Sequence, residues 1–355
     1  MKIPKSEDSP SRLESHDYQT DPEFFPVKAS TLPPLIKLIR PHQWTKNLFC
    51  LAGLLFGGRL LETQSILLSI LTVFFFSAMA SAVYIFNDIQ DRERDRLHPK
   101  KKYRPIASGQ VSIKTGLAIA FGLTTVSLLG TYGLGIPTLI CVLLYGINNI
   151  IYSIKLKNIP LFDVSCIAFG FVLRLLAGIY ALGDMPTAWI VLCTFFLTLF
   201  LGFSKRRSEL LSLLHLQTNQ ENFYSETSLK PDLKSPNSEP SYLELFYQRG
   251  SKNQQRPVLS QYTLPYLDSL LNSTATMTIM CYALFTIQSD KNPSLVITVP
   301  IVYYAVMHYK WLVTVLADGE EPSRILIQDP TIKWSLIIWL ISYLVILYFN
   351  IHLFD

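Results

Sequence analysis

Residues 87–109 read NDIQDRERDRLHPKKKYRPIASG and directly follow a long apolar run. If a helix continues past Phe86, then Asn87, Asp91 and Asp95 fall at i, i+4 and i+8 and form one stripe, with Asp88 beside it. Acidic groups crowded on one face repel one another unless a cation lies between them. All-oxygen ligands of this kind select Mg2+, which keeps several waters and takes a diphosphate as its other ligand. Lys100, Lys101, Lys102 and Arg104 follow at once and supply cations for the remaining phosphate oxygens. The plain alternative is a solvated, charge-balanced helix, since Arg92, Arg94 and Arg96 interleave with the acids. Basic clusters beside a membrane are common, but they seldom bracket an aligned acidic stripe.

The elements that must hold this stripe are membrane helices. Half of the 355 residues are apolar, only 16% are charged, and the mean hydropathy is +0.29. A soluble enzyme carries about a quarter charged residues, and an intrinsically disordered chain lacks such apolar runs. The cysteines (Cys50, Cys141, Cys166, Cys193 and Cys281) lie singly in apolar stretches and read as small hydrophobes. A helix needs roughly 20 mainly apolar residues to cross a bilayer. Nine stretches qualify: 45–62, 64–86, 113–132, 134–153, 160–182, 187–204, 269–288, 294–316 and 334–352. The expected fold is therefore an all-α integral membrane bundle of about nine transmembrane helices. Lys46 and Arg59 make the first of these the weakest.

Lysine and arginine gather on one side of these stretches: in the first 46 residues, the 87–112 loop, Lys155 and Lys157, the segment opening Lys205-Arg206-Arg207, and Arg324 and Lys333. That asymmetry places the N-terminus, the long loops and the acidic stripe in the cytoplasm, and an odd number of spans leaves the C-terminus outside. The net charge of +5 thus reports topology and implies no nucleic acid partner. Residues 1–32 are polar, Ser- and Pro-rich and without an apolar core, which reads as a disordered cytoplasmic tail rather than a signal peptide. From Pro33 the run PPLIKLIRPHQW suggests an interfacial helix with Trp44 at the headgroups. A second polar segment, 214–255, shows no sustained periodicity and reads as a largely disordered insertion.

Arg174 falls within the span FVLRLLAG, where an unpaired charge is costly unless it faces a cavity. Asp163 lies eleven residues earlier on the same helix face. Pairing with Asp163 or a backbone carbonyl, and binding of an anionic lipid phosphate, are both open for this arginine.

The motif NDxxDxxxD after the second span is similar to the first aspartate-rich motif of the UbiA-type intramembrane prenyltransferase superfamily. RPHQWTKN (40–47), YSIKLKNIPLFD (152–163), GFVLRLLAG (170–178), SKRRSE (204–209), RPVLSQYT (256–263) and EEPSRILIQDP (320–330), in that order, resemble the decaprenyl-phosphate phosphoribosyltransferase branch. The likeness covers nearly everything from residue 33 to the last span and implies a UbiA-like domain over 33–355. It implies transfer of 5-phosphoribosyl from 5-phosphoribosyl 1-diphosphate (PRPP) to a polyprenyl phosphate in the bilayer, with Mg2+ and release of diphosphate. Asn87, Asp88, Asp91 and Asp95 would hold the metal on the diphosphate. Lys46, Asn47, Lys101, Arg104, Tyr152, Lys157, Lys205 and Arg206, with Arg174, would meet the 5-phosphate and the lipid phosphate. Most of the superfamily carries a second acidic motif after the sixth span, whereas this chain has Lys205-Arg206-Arg207 there, with Glu209 the nearby carboxylate. A surplus of cations suits two phosphorylated substrates. The competing expectation is a UbiA-type prenyltransferase with a prenyl diphosphate donor and an aromatic acceptor. A homo-oligomer is left open.

Overall fold

The computed structural model describes residues 33–98, 101–226, 257–288, 292–316, 319, 322–349 and 351–353. The tail 1–32, Lys100 and most of the 214–255 segment lie outside the described residues. Among the described residues every regular element is helical. Among the described residues, eight helices are long and apolar enough to cross a membrane. They come from α3 (Thr63–Gln90), α5 (Ile113–Leu134), α6 (Ile136–Ile154), α7 (Phe162–Ala181), α8 (Ala188–Glu226), α9 (Leu264–Gln288), α10 (Val299–Thr314) with the 3-10 turn Pro293–Thr298 before it, and α12 (Pro330–Tyr348). Short helices lie between them: α1 (Pro34–Ile39), α2 (Ala52–Phe56), α4 (Arg92–Leu97) and α11 (Pro322–Gln328).

The first expected span, 45–62, takes a different form. Residues Pro41–Leu51 are a 3-10 helix, followed by the short α2. Its ends lie at opposite ends of the bundle. Arg40 pairs with Asp88 in the last turn of α3, while Arg59 reaches Asp184, beyond the far end of α7, at 2.5 Å. A 3-10 helix rises about 2.0 Å per residue against about 1.5 Å for an α-helix, so this short piece covers about 30 Å, the thickness of a hydrocarbon core. Close packing explains the narrow form. A Cβ at Gly178 of α7 would stand 1.9 Å from the Cys50 carbonyl oxygen, and one at Gly53 3.0 Å from the Ile179 Cα. Backbone lies on backbone here, as small residues allow between membrane helices.

α7 is the central helix: 67% of its apolar window is buried, against 11% for α5, whose Leu117, Phe121 and Leu129 remain exposed. One apolar core joins α7 to α8, α9, α10 and α12 through Val164, Phe200, Leu267, Leu271, Val313 and Ile332. Another joins α3, α6, α7 and the 3-10 segment through Phe76, Val83, Val142, Tyr145 and Leu173. Gly135, at φ 127, makes the tight link between α5 and α6.

At the edges, the half-buried Trp44 donates its indole N–H to Ser81 Oγ at 3.0 Å, and one expectation is corrected. The polar segment is not irregular from its start, because α8 continues to Glu226. No proline or glycine interrupts that stretch before Pro231, and its Leu, Glu and Gln favour a helix.

Candidate active site

The acidic residues gather where α3 ends. α3 stops at Gln90, yet the amide of Asp91 still bonds the Asn87 carbonyl at 2.9 Å and that of Asp95 the Asp91 carbonyl at 2.8 Å. The turn is preserved through the break, but the expected single stripe divides in two. Asp88 and Asp95, seven residues apart and both buried, turn to the same cation: Arg104 Nη1 donates to Asp88 Oδ1 at 3.1 Å and to Asp95 Oδ2 at 2.7 Å. Arg40 also donates to Asp88 Oδ1. Asp91 instead faces Lys157 Nζ at 3.3 Å, and Asn87 Oδ1 accepts from Ser153 Oγ at 2.6 Å. Cations reach the acids from two directions: Arg40 and Arg104 to Asp88 and Asp95, and Lys157, in the turn after α6, to Asp91.

Arg40 and Arg104 are held by their own segments. Arg40 has left-handed backbone (φ 56, ψ 58), uncommon for a residue with a side chain. Ser81 Oγ fixes that corner by donating to the Ile39 carbonyl at 2.9 Å, and the Arg40 guanidinium lies over the Tyr84 ring. The Arg104 loop is anchored by Ile106, buried with Leu38, Ile85 and Val111, and by Arg96 Nε donating to the Ala107 carbonyl at 3.2 Å. Lys101 sits half-buried in the same loop, its amide donating to His98 Nδ1 at 3.2 Å.

Whether these residues suit Mg2+ follows from the oxygens left open. Among the described residues no three His, Cys, Asp or Glu side chains stand close enough to hold an ion by themselves. Mg2+ does not demand such a cage; it is usually bound through one or two carboxylates plus substrate phosphates. Asp88 Oδ2 is buried and without a hydrogen-bond partner, the oxygen best placed for that role. The donors therefore fit an ion shared with a phosphorylated substrate.

A second group lies deeper. Arg174 is buried on α7 and does not meet Asp163. Its Nε donates to Asn47 Oδ1 at 2.8 Å, Nη1 to the Gly170 carbonyl at 2.7 Å and Nη2 to Tyr145 Oη at 3.0 Å. The rings of Tyr145, Phe171 and Phe76 surround it, with centroids 4.6, 5.1 and 5.3 Å away. Asn47 is itself buried and donates to Ser77 Oγ at 2.8 Å, so it orients Arg174 and has little left for a substrate. Lys46, one residue earlier, is open to solvent, and Arg174, Lys205 and Arg40 all stand near enough to repel its ammonium.

Arg206, expected at a phosphate, is used within the fold. It is 2% exposed, with Nε donating to Asp163 Oδ2 at 2.7 Å and Nη1 to Glu209 Oε2 at 2.6 Å. Asp163 Oδ1 accepts from Tyr262 Oη at 2.7 Å, and the same hydroxyl accepts the Leu161 amide at 2.6 Å. Leu161 is held there at φ 67. That network ties RPVLSQYT to IPLFD and SKRRSE, motifs distant in sequence. Arg207 likewise pairs with Asp268 at 2.6 Å. Lys205 beside them is half-buried, and Tyr152 is half-buried at the end of α6. Three participants escaped the sequence reading: Arg40, which sat in an interfacial run, and Tyr145 and Tyr262. The signal for Tyr145 was the arginine in a neighbouring span, whose guanidinium must find acceptors.

Residues 47–207 match the UbiA prenyltransferase family. The decaprenyl-phosphate phosphoribosyltransferase of Corynebacterium glutamicum is 29% identical over 88% of this chain and 86% of its own length. That of Mycobacterium tuberculosis is 27% identical over 92% and 96%. Among solved structures, a UbiA homologue from Archaeoglobus fulgidus bound to GPP and Mg2+ shares the fold with a TM-score of 0.60, at 19% identity, over 88% of this chain and 98% of that one. Family match, similarity along nearly the whole length and common helical architecture agree: the chain is similar to the UbiA prenyltransferase family over its N-terminal half, and its relatives over nearly the whole length are decaprenyl-phosphate phosphoribosyltransferases.

Proposed function

We propose that this chain transfers the 5-phosphoribosyl group of PRPP to a polyprenyl phosphate of the decaprenyl type, releasing diphosphate. The observation that carries the reading is the uneven distribution of charge around the bundle's interior. One acidic cluster stands at the end of α3, while the position in α8, past its apolar part, that would hold a second acidic motif presents Lys205 and a buried arginine. One diphosphate needs one metal-binding cluster, and the other phosphates need cations.

Mg2+ would be held by Asp88, with Asp91, Asp95 and Asn87 around it, and would supply the positive charge that makes diphosphate a better leaving group. Arg104, Lys101 and Lys157 bind and orient the phosphate oxygens of PRPP. The bond from ribose C1 to the diphosphate oxygen breaks and its electron pair leaves with diphosphate, while a lipid phosphate oxygen forms the new bond to C1. Developing oxocarbenium charge at C1 is stabilised by the ring oxygen and by the neighbouring carboxylates. The acceptor is already anionic at neutral pH, so positioning and electrostatics suffice and no general base is needed. The lysine and arginine asymmetry puts this face in the cytoplasm of a multi-pass cell membrane protein, with the C-terminus outside.

The test is radiolabelled transfer by the purified chain in detergent. PRPP and prenyl diphosphates are offered side by side with polyprenyl phosphate and an aromatic acid, with and without Mg2+. Mg2+-dependent ribosylation of the lipid phosphate is expected; prenylation of the aromatic acid would replace this reading with that of an aromatic prenyltransferase.

A further inference from the structure

The motif RPVLSQYT (256–263) has no part in the reaction as described, yet its folded portion grips the turn that carries Lys157. Lys157 stands in the 3-10 turn Leu156–Asn158, with Nζ 3.3 Å from Asp91 Oδ1. That turn has no apolar core of its own: none of residues 154–162 is buried, and Ile154, Leu161 and Phe162 are exposed. The backbone after it is strained as well. Leu161 stands at φ 67 and ψ -46, outside the regions open to a residue with a side chain. Strain of this kind persists only where the surroundings hold it.

The hold comes from the 3-10 turn Pro257–Gln261 and the tyrosine after it. The Tyr262 hydroxyl accepts the Leu161 amide at 2.6 Å, and Gln261 Nε2 donates to the Asn158 carbonyl at 3.4 Å, so the segment that follows Lys157 is tied at both ends. The gripping side is itself fixed: Val258, Leu259 and Tyr262 are buried, and Val258 and Tyr262 belong to the core that α7 shares with α8 and α9. Resting on the reading above, we infer that Tyr262 is a positioning residue for the transfer: its hydroxyl holds the turn after α6, and with it the Lys157 ammonium, beside Asp91 where the donor's diphosphate lies. The hydroxyl gives its oxygen to Leu161 and its proton to Asp163, so the grip on the turn does not require the Arg206–Asp163 pair, which belongs to the framework. Lysine is a point charge on a flexible four-carbon stem. Where its backbone is held therefore decides whether that charge meets the diphosphate or spreads into water.

The test is a double-mutant cycle on the full chain in nanodiscs, read as kcat/KM for PRPP with Mg2+ and as KM for polyprenyl phosphate. Lys157→Met is expected to lower kcat/KM for PRPP by about 10- to 100-fold and Tyr262→Phe by about 5- to 10-fold, with KM for polyprenyl phosphate within about twofold in each. In the Lys157→Met background, Tyr262→Phe should change kcat/KM by less than about twofold, because the charge it places is gone. A role confined to folding would lower kcat/KM by the same factor in both backgrounds and move both substrates together. Either result overturns the inference, as does an unchanged kcat/KM in folded Tyr262→Phe. Should Tyr262→Phe fail to fold, the exposed Gln261 at the other tie serves in the same cycle as Gln261→Ala, with an expected loss of about two- to threefold; additivity with Lys157→Met there overturns the inference too. A chain that uses a prenyl diphosphate and not PRPP would sink the proposed reaction alone. The cycle run with that diphosphate then decides the positioning role by itself: coupling to Lys157 upholds it and additivity removes it.

Discussion

Replacing Arg206 by Met separates a phosphate-binding arginine from one that holds the fold. Sequence spacing puts Arg206 at a substrate phosphate; the structure puts it between Asp163 and Glu209, 2% exposed. Asp163 is fully buried, and after the change it would keep a charge with only the Tyr262 hydroxyl to satisfy it. With an effective dielectric of about 20 and about 4 Å between charge centres, the lost attraction is about 4 kcal/mol. This falls within the roughly 3–5 kcal/mol typical of breaking one side of a buried pair. Removing both partners, Arg206→Met with Asp163→Leu, takes the stranded charge away. Such apolar replacements are often neutral, so the double variant should recover all but about 1–2 kcal/mol, the remainder being the hydroxyl of Tyr262 left without its acceptor. The assay is equilibrium unfolding in mixed micelles, read beside KM for PRPP and for polyprenyl phosphate. Both KM values should stay within about twofold in the double variant. Arg206→Met that unfolds like the parent while one KM rises tenfold would refute the reasoning and return Arg206 to a phosphate.

Three other changes probe the remaining parts. Gly178→Ala drives a methyl to 1.9 Å from the Cys50 carbonyl, so the 3-10 segment must move by more than an ångström; a loss of at least about 1–3 kcal/mol and of activity is expected by thermal melting and transfer assay, whereas Gly133→Ala, with nothing within 4 Å, should be silent. Asp88→Asn removes a charge from the diphosphate site and should lower kcat by about 10²- to 10³-fold, while polyprenyl phosphate binding is retained; equal loss of both would place Asp88 in the framework instead. Tyr262→Phe deletes the hydroxyl that joins Leu161 to Asp163 and should cost about 1–3 kcal/mol, with hydrogen exchange rising first at the Leu161 amide.

How far the sequence spoke depended on the kind of contact concerned. The spans from α3 onward were legible because hydropathy over a long apolar window is a local property: the expected 113–132 and 160–182 correspond to Ile113–Leu134 and Phe162–Ala181. The first crossing was not, since a 3-10 form there depends on Gly178 and Gly53 admitting one backbone against another, a fact of packing between segments more than a hundred residues apart. At the site, residue types were readable and pairings were not. Asn87, Asp91 and Asp95 share a helical spacing, yet Asp88 and Asp95 are the acids brought together, because Arg104 arrives from a loop that periodicity cannot place. Lys205 and Arg206 are neighbours in one basic run and look equivalent on paper. A buried aspartate takes the arginine and none takes the lysine, so within this run Arg206 holds the bundle together and Lys205 is left for a ligand. Charge type is written in the chain, but the availability of a charge is settled by what folds against it. Two neighbours in one basic motif can therefore take different roles, decided by the partner that each meets in the fold.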